Sequence, residues 1–384
     1  MSAAIGQALG AAQAEATADG GSIVVLVLNS GSSSLKHGLY RVSRWRIDCL
    51  NDGIIEDADA DPLAAIVAIV RQLAEAALPP PQRIGHRIVH GGPHRHRHGR
   101  IDAQVLQQLE AAAPFAPLHA AKALALIRHC GSLFPGHPQV ACYDTAFHAA
   151  MPALGATLPL PKALRDSGLR RYGFHGLSCE SVLDTLGADC PPRVVIAHLG
   201  NGVSISAVRD GRSIDTSMGL TPNGGAIMGT RCGDLDPGVL LHLLQQRQFD
   251  GAALSRLLEH ESGLLGLSGV SSDLRAIRAA ADRGNRDAAF AIEAFCLSVA
   301  RPIAAMIAVL DGLDLLVFTA GIGEHDAAVR ESICAHLGWI GISLDGGRNA
   351  AGNAVIHGPA SRCAIRVVPC REDEQIARHA ADAA

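Results

Sequence analysis

Arg87 lies in the stretch GHRIVHGG (residues 85–92), among apolar neighbours in a short run with strand character. A guanidinium in that setting requires an anion, either a structural carboxylate or a ligand, because an unpaired buried charge is too costly. Four further stretches have the same form. APLH carries His119, YDTAFH carries Asp144, RRYGFHG carries His175 and GTRCGDLDP carries Arg231. Each sets one charged or titratable side chain at the end of an apolar run or in a Gly/Pro turn, where loops carry function. Any one alone is more often a satisfied structural residue. With the Gly-rich turns LNSGSSSLK (28–36) and HLGNG (198–202) they form an inventory for phosphoryl transfer, which works by positioning and charge stabilisation. Consecutive backbone N–H groups in such turns form a partly positive nest for phosphate oxygens, and Lys36 adds a mobile point charge. A third turn, FTAGIGEH (318–325), sets a helix N-terminus where ribose or an α-phosphate can be received. The first turn is not a Walker A loop, which needs a second Gly before the Lys and a helix after it. No G-x-S-x-G occurs anywhere.

The elements that must position these residues follow from hydrophobic spacing. Residues 22–28 and 35–40 read as the arms of a hairpin, 63–77 as a helix ending at Pro79-Pro80-Pro81, and 84–89 as a strand. Helices over 104–113 and 120–130 precede a strand at 139–143. The pattern then restarts: 193–208 is again an apolar strand, a Gly-rich turn and a second strand, and superposing Gly31 on Gly202 sets Val25 over Ile196. A strand at 212–216, helices near 237–246 and 286–310 and a strand at 315–319 complete a duplicated α/β unit.

Composition narrows the classes. The 384 residues are 48% hydrophobic and 18% charged, ample for two cores, and a net charge of −4 argues against a nucleic-acid partner. The best candidate for a membrane span, 302–321, is broken by Asp311 and Asp314. Residues 1–21 lack Lys, Arg and a long apolar centre, unlike a secretory or transit peptide, and are expected to be a loosely ordered extension. Ten scattered cysteines without a C-x-x-C pair suit free thiols in a reducing cytoplasm. Residues 85–100 hold five histidines, but no cysteine stands nearby and the alternating arginines would repel a cation. An exposed basic loop is the expected state of His94, His96 and His98.

From residue 23 to about 380 the chain resembles the acetate kinases. LNSGSSSLK and DTSMGLTPNGGAIMGTRCGDLDP are similar to that family's two signature stretches. GHRIVHGG, APLH, DTAFH, RRYGFHG, HLGNG, SGVSSDLR and TAGIGE follow in the family's order. The resemblance implies an α/β fold of two duplicated ribonuclease-H-like (actin-like ATPase) domains around a nucleotide cleft. Their bounds would be 22–147, with a helix at 374–384 packing back, and 148–373. It implies ATP-dependent phosphorylation of acetate to acetyl phosphate by reversible in-line transfer, with ATP/ADP and Mg²⁺ (Mn²⁺ as a substitute), in a cytoplasmic homodimer. A propionate or butyrate kinase and a non-catalytic ATP-binding module are the alternatives.

By matching motif, Asp144, Arg87, Arg231, His175 and His119 would be catalytic. Asn29, Ser32, Ser34, Lys36, His198, Leu199, Gly200, Asn201 and Gly202 would hold phosphates. Asp273, Leu274, Arg275, Gly321, Ile322 and Gly323 would line the nucleoside pocket. Arg87 with Val89, Leu118, Phe174 and Pro222 would receive the acid, and Asn29 and Glu372 the metal. The chain departs from the family pattern at His37, usually aromatic, at Asn223-Gly224, usually Leu-Glu, and at Cys370-Arg371, usually Thr-Asn.

Overall fold

The computed structural model describes residues 21–31, 34–56, 58, 61–246 and 249–383, the side chains of residues 117 and 118 excepted. The expected N-terminal extension, Gly21 apart, and Ser32 lie outside the described residues. Contacts divide the chain into two units. The first takes the described residues up to Ala149, Gly176–Ser181 and those from Arg371 onward. The second takes Ala150–His175 and Val182–Cys370.

The first unit is built on a six-stranded sheet: β1 (Ile23–Ser30), β2 (Ser34–Val42), β3 (Ile47–Glu56), β4 (Arg83–Ile88), β5 (Gly99–Arg100) and β6 (Gln139–Tyr143). The strand order is β3-β2-β1-β4-β6-β5. β1 to β3 form an antiparallel meander, while β1, β4 and β6 run parallel. The sequence IVVLVLNS makes β1 a central strand because it is apolar on both faces. On one face Leu26, Leu28, Leu35 and Leu39 pack with Ile66, Ile69 and Leu73 of α1 (Pro62–Glu75). α2 (Ala103–Ala112) and α3 (Pro117–Leu133) follow, the former capped by the Asp102 side chain, which accepts from the Val105 N–H. On the other face Val25, Val27, Val140 and Cys142 meet Leu177 of α4 (Gly176–Leu186) and Ile376, Ala377 and Ala380 of the C-terminal helix, Glu372–Asp382. Gly85 lets that helix lie flush on β4, since a Cβ there would stand 2.7 Å from Ile376 Cγ2 and 3.2 Å from Ala380 Cβ.

The second unit repeats the plan with β7 (Arg193–Leu199), β8 (Val203–Arg209), β9 (Arg212–Thr216), β10 (Leu315–Thr319) and β11 (Ala364–Val367), in the order β11-β10-β7-β8-β9. Again a meander of three strands joins two parallel ones. The first strand of each hairpin ends at Ser30 in one unit and at Leu199 in the other, so Gly31 corresponds to Gly200, two residues from the superposition read in the sequence. A shift of two preserves which face each side chain takes, and the repeat stays legible despite it. Helices α5 (Pro237–Gln245), α6 (Leu274–Asp282), α7 (Arg286–Leu310), α8 (Ala320–His325) and α9 (Ala327–His336) complete what concerns the site.

One strand escaped the sequence reading: Asp48, Asn51 and Asp52 leave no apolar run in β3, a partly exposed edge strand. The break expected at Asp311 and Asp314 is borne out: α7 ends at Leu310, Asp311 takes a left-handed φ of 55°, and β10 starts at Leu315. α7 itself is long and apolar enough to cross a membrane. It buries Phe295, Cys296, Val299 and Ile303 in the second unit and packs on α6, α9 and β8, which is the behaviour of a core helix.

Candidate active site

In the first unit the site residues stand at the ends of parallel strands. Asn29, near the end of β1, is 4% exposed and pairs across the hairpin with Lys36, which is exposed. Ser34 opens β2, and its carbonyl accepts from the Gly31 N–H at 2.8 Å, closing the turn. Arg87 on β4 donates to Asp144 from Nε (3.1 Å) and Nη2 (2.7 Å), and from Nη1 to Asn29 Oδ1 at 3.2 Å. The half-buried Arg87 has therefore found an anion, a fully buried carboxylate in a two-point, charge-assisted pair. Burial works against the Arg87 charge, but Asp144 and then Glu372 outweigh it and hold the guanidinium above its ordinary range. Burial pushes Asp144 up to about 6, with Arg87 pulling it back, so the pair is ionic at neutral pH.

The sequence reading missed Asp373. Asn29 Nδ2 donates to its Oδ1 at 2.7 Å, which joins the C-terminal helix to the Arg87–Asp144 pair through one amide. The only signal was three acids, Glu372, Asp373 and Glu374, in a helical first turn. Burial raises the Asp373 carboxyl, opposed by the Asn29 hydrogen bond. His119 on α3 lines a cavity of about 10 Å³ with Val89, His90 and Leu124, room for about one water. The Leu118 side chain is outside the described residues.

In the second unit the phosphate-turn residues converge on Gly202. A Cβ there would lie 2.8 Å from His175 Nε2 and 2.9 Å from Arg231 Nη2, so both cationic-capable groups sit over its α-carbon. His175 adopts a left-handed φ of 57° just before α4, an uncommon state for a residue with a Cβ. Its ring stacks on His198 with centroids 4.1 Å apart, and its Nδ1 is 3.0 Å from Ser204 Oγ, a partner not foreseen from sequence. Arg231 is steadied by Nη1 donating to the Pro222 carbonyl at 2.6 Å. His198 pairs with Thr319 across β7 and β10, which sets the turn after β10 beside the turn after β7. A Cβ at position 200 would lie 3.6 Å from Ala320 Cβ, and one at position 323 would lie 3.6 Å from Leu199 Cβ, which is ordinary van der Waals contact.

The GIGE stretch is fastened by a second unforeseen residue. Arg330, 1% exposed, donates from Nη1 to the Gly323 and Glu324 carbonyls (2.9 Å each) and from Nε to Asn349 Oδ1 (2.8 Å). Nothing in AAVRESI marks it. Asp273 and Arg275 stand at the surface on α6, where Asp273 caps the helix and takes a 2.7 Å ion pair from Arg275, while Leu274 is buried. Phe174 and Pro222 are buried and Ile322 is half-buried.

The histidine-rich stretch does not behave as one loop. His94 and His96 are exposed as expected, but His98 is half-buried, its Nδ1 accepting from the Tyr143 N–H at 3.0 Å. β5 pairs with β6 and draws it in.

Comparison with known proteins gives one answer. The profile of the acetokinase family matches residues 54–378. The chain is 40% identical to the acetate kinase of Thermosynechococcus vestitus, over 93% of this chain and 97% of that protein. It is 39% identical to that of Methylocella silvestris, over 92% and 96%. Among solved structures, Porphyromonas gingivalis acetate kinase superposes with a TM-score of 0.82 at 34% identity, covering 93% of this chain and 98% of that one. A propionate kinase from Francisella tularensis superposes at 0.85 and 33%, covering 94% and 100%.

Proposed function

The chain belongs to the acetokinase family, and on that premise we propose how its residues divide the work. It phosphorylates acetate with ATP, giving acetyl phosphate and ADP, on the family's duplicated actin-like fold. Acetate is ionised at neutral pH and needs no general base. The obstacle is charge: each pair of unit charges at about 4 Å repels by about 4 kcal/mol at an effective dielectric near 20. Preorganised cations and N–H groups offset that repulsion.

In the first unit, Arg87 takes the substrate carboxylate, oriented by Asp144 and Asn29, with Val89 and His119 beside it. In the second, His175 and Arg231 stabilise charge on the transferred phosphoryl group. The turn at Gly200–Gly202 and the one at Gly321–Gly323 receive phosphates and nucleoside. The observation that carries this reading is the convergence of His175 and Arg231 on Gly202. Asn29, Glu372 and Asp373 offer only oxygen donors on one side of the first unit, a set that fits a hard cation such as Mg²⁺ or Mn²⁺. Such an ion, when bound, supplies charge neutralisation to the phosphate oxygens.

Residence in the cytoplasm is supported by ten free thiols. A homodimer is supported by α5: Val239, Leu241 and Leu244 are exposed and no residue of the helix is buried. The test of function is hydroxylamine trapping with ATP, Mg²⁺ and C1–C4 acids. Acetate should give the most hydroxamate, with propionate slower by roughly tenfold in kcat/KM because stiff Val89 limits the pocket. A higher rate with propionate or butyrate would move the enzyme to the longer acids. No hydroxamate from any acid would leave a nucleotide-binding module.

A further inference from the structure

Three side chains of the first unit that have no part in the site above meet beside it. His98 directly precedes β5, and its Nδ1 accepts from the N–H of Tyr143, the residue before Asp144. Glu180 lies on α4, whose first N–H, that of Gly176, donates to the Asp144 carbonyl at 2.8 Å. His379 stands two turns into the C-terminal helix, after Glu372 and Asp373. Its Nε2 donates to Glu180 Oε2 at 2.7 Å, with Gln375 Nε2 3.4 Å from the same oxygen. His98 Nε2 faces Glu180 Oε1 at 3.5 Å, and the two imidazoles stack with centroids 3.8 Å apart.

Hydrogen positions follow from these contacts. Because His98 Nδ1 accepts a main-chain N–H, its proton sits on Nε2, which stands 3.5 Å from Glu180 Oε1 in an electrostatic contact rather than a hydrogen bond. The same fact weighs against a metal centre here. A metal-bound imidazole donates its other N–H, whereas in His98 that nitrogen already faces a donor. Burial works against the Glu180 charge, but the donors His379 and His98 hold its carboxyl near 2. It is ionised throughout the working range, and its field reaches Asp144.

We propose that His98, Glu180 and His379 are positioning residues for phosphoryl transfer: a carboxylate clasp tying the backbone at Asp144 to the helix that carries Asp373. The clasp acts through main-chain contacts at Tyr143 and Gly176 and through the pitch of the C-terminal helix. It touches neither substrate nor nucleotide. A displacement of about 1 Å at Asp144 or Asp373 would loosen the Arg87 fork, and such displacements cost up to about 100-fold in rate. The inference rests on the acetate-kinase assignment of Arg87, Asp144 and Asp373.

The experiment pairs kinetics with backbone hydrogen exchange, which reads the clasp whether or not acetate is the acid. Glu180→Ala should lower kcat by about tenfold or more with KM for acetate within about twofold. It should also raise exchange over 143–148 and 371–376. Glu180→Gln should keep at least about a third of kcat. Its amide oxygen can face His98, whose tautomer is fixed, and its amide N–H groups can face His379, whose tautomer is not. Should Glu180→Ala not fold, His379→Ala against His379→Gln makes the same contrast, since Gln retains a donor. Wild-type kcat and exchange in Glu180→Ala, or equal loss in the Ala and Gln variants, would overturn the proposal. So would one Zn²⁺ bound per chain and lost in His379→Ala.

Discussion

At Gly202 the ends of two side chains with proposed roles, His175 and Arg231, occupy the space a Cβ would take. Those neighbours are the ends of side chains, not backbone, so Gly202→Ala should displace His175 and Arg231 rather than unfold the chain. A kcat lower by about 100-fold with an unchanged melting temperature is the expected outcome, by steady-state kinetics and calorimetry. Arg231→Ala removes the charge itself and should cost about 1,000-fold in kcat with the fold intact. A folded variant that keeps most of its activity would take Arg231 out of the mechanism. Histidines govern acid stability instead. His86 is buried against Gln139 Oε1 at 2.8 Å, and burial lowers its pKa to about 4. Burial also lowers that of His37, packed beside Gly53. Both folded-state values lie below the unfolded one, so the unfolded chain takes up the proton first. The contribution of His86 is full above pH ~6.5 and is lost as pH falls toward ~4, about 3 kcal/mol, and that of His37 is lost in the same direction. His86→Gln, which keeps a hydrogen bond to Gln139, should flatten denaturant-measured stability across that window; an unchanged slope would assign the acid loss elsewhere.

Among the elements, the C-terminal helix does most to assemble the first unit's site. Its apolar side, Ile376, Ala377 and Ala380, covers β1, β4 and β6, and this seating sets Asp373 against Asn29. Gly85 is what allows the approach. Gly85→Ala would crowd Ile376 and should destabilise by about 1–3 kcal/mol, the usual cost of overpacking. Activity in that variant should fall by more than the unfolded fraction explains, because the helix carries Asp373; activity tracking the folded fraction alone would separate seating from function. The parallel strands β6, β7 and β10 were legible because each is dominated by a short apolar run. β3 was not, since an edge strand buries half a face and its acids hide the alternation.

At the scale of the whole chain, two sheets that share a five-strand order, the first with β5 added at its edge, carry two sets of proposed site residues. α5 presents an apolar surface that, in the proposed homodimer, a second copy covers. Leu241→Glu should convert a dimer to a monomer by light scattering after size exclusion; a wild type already monomeric would remove the dimer reading. By itself the sequence determined the family, the duplicated α/β plan and nearly every residue with a proposed role. Those features are local: a Gly-rich turn, an apolar strand and an Arg in an apolar run carry their chemistry within a few residues. Tertiary structure alone decided who partners whom. It set Asp144 against Arg87, enlisted Asp373 and Ser204, placed Arg330 under the GIGE stretch and drew His98 out of its loop to Glu180 and His379. Asp373 lies 344 residues from Asn29, and no local pattern encodes which distant donor will satisfy a buried polar group. That pairing is settled only when the sheet and the C-terminal helix pack and exclude water, leaving each buried charge to find the partner then within reach.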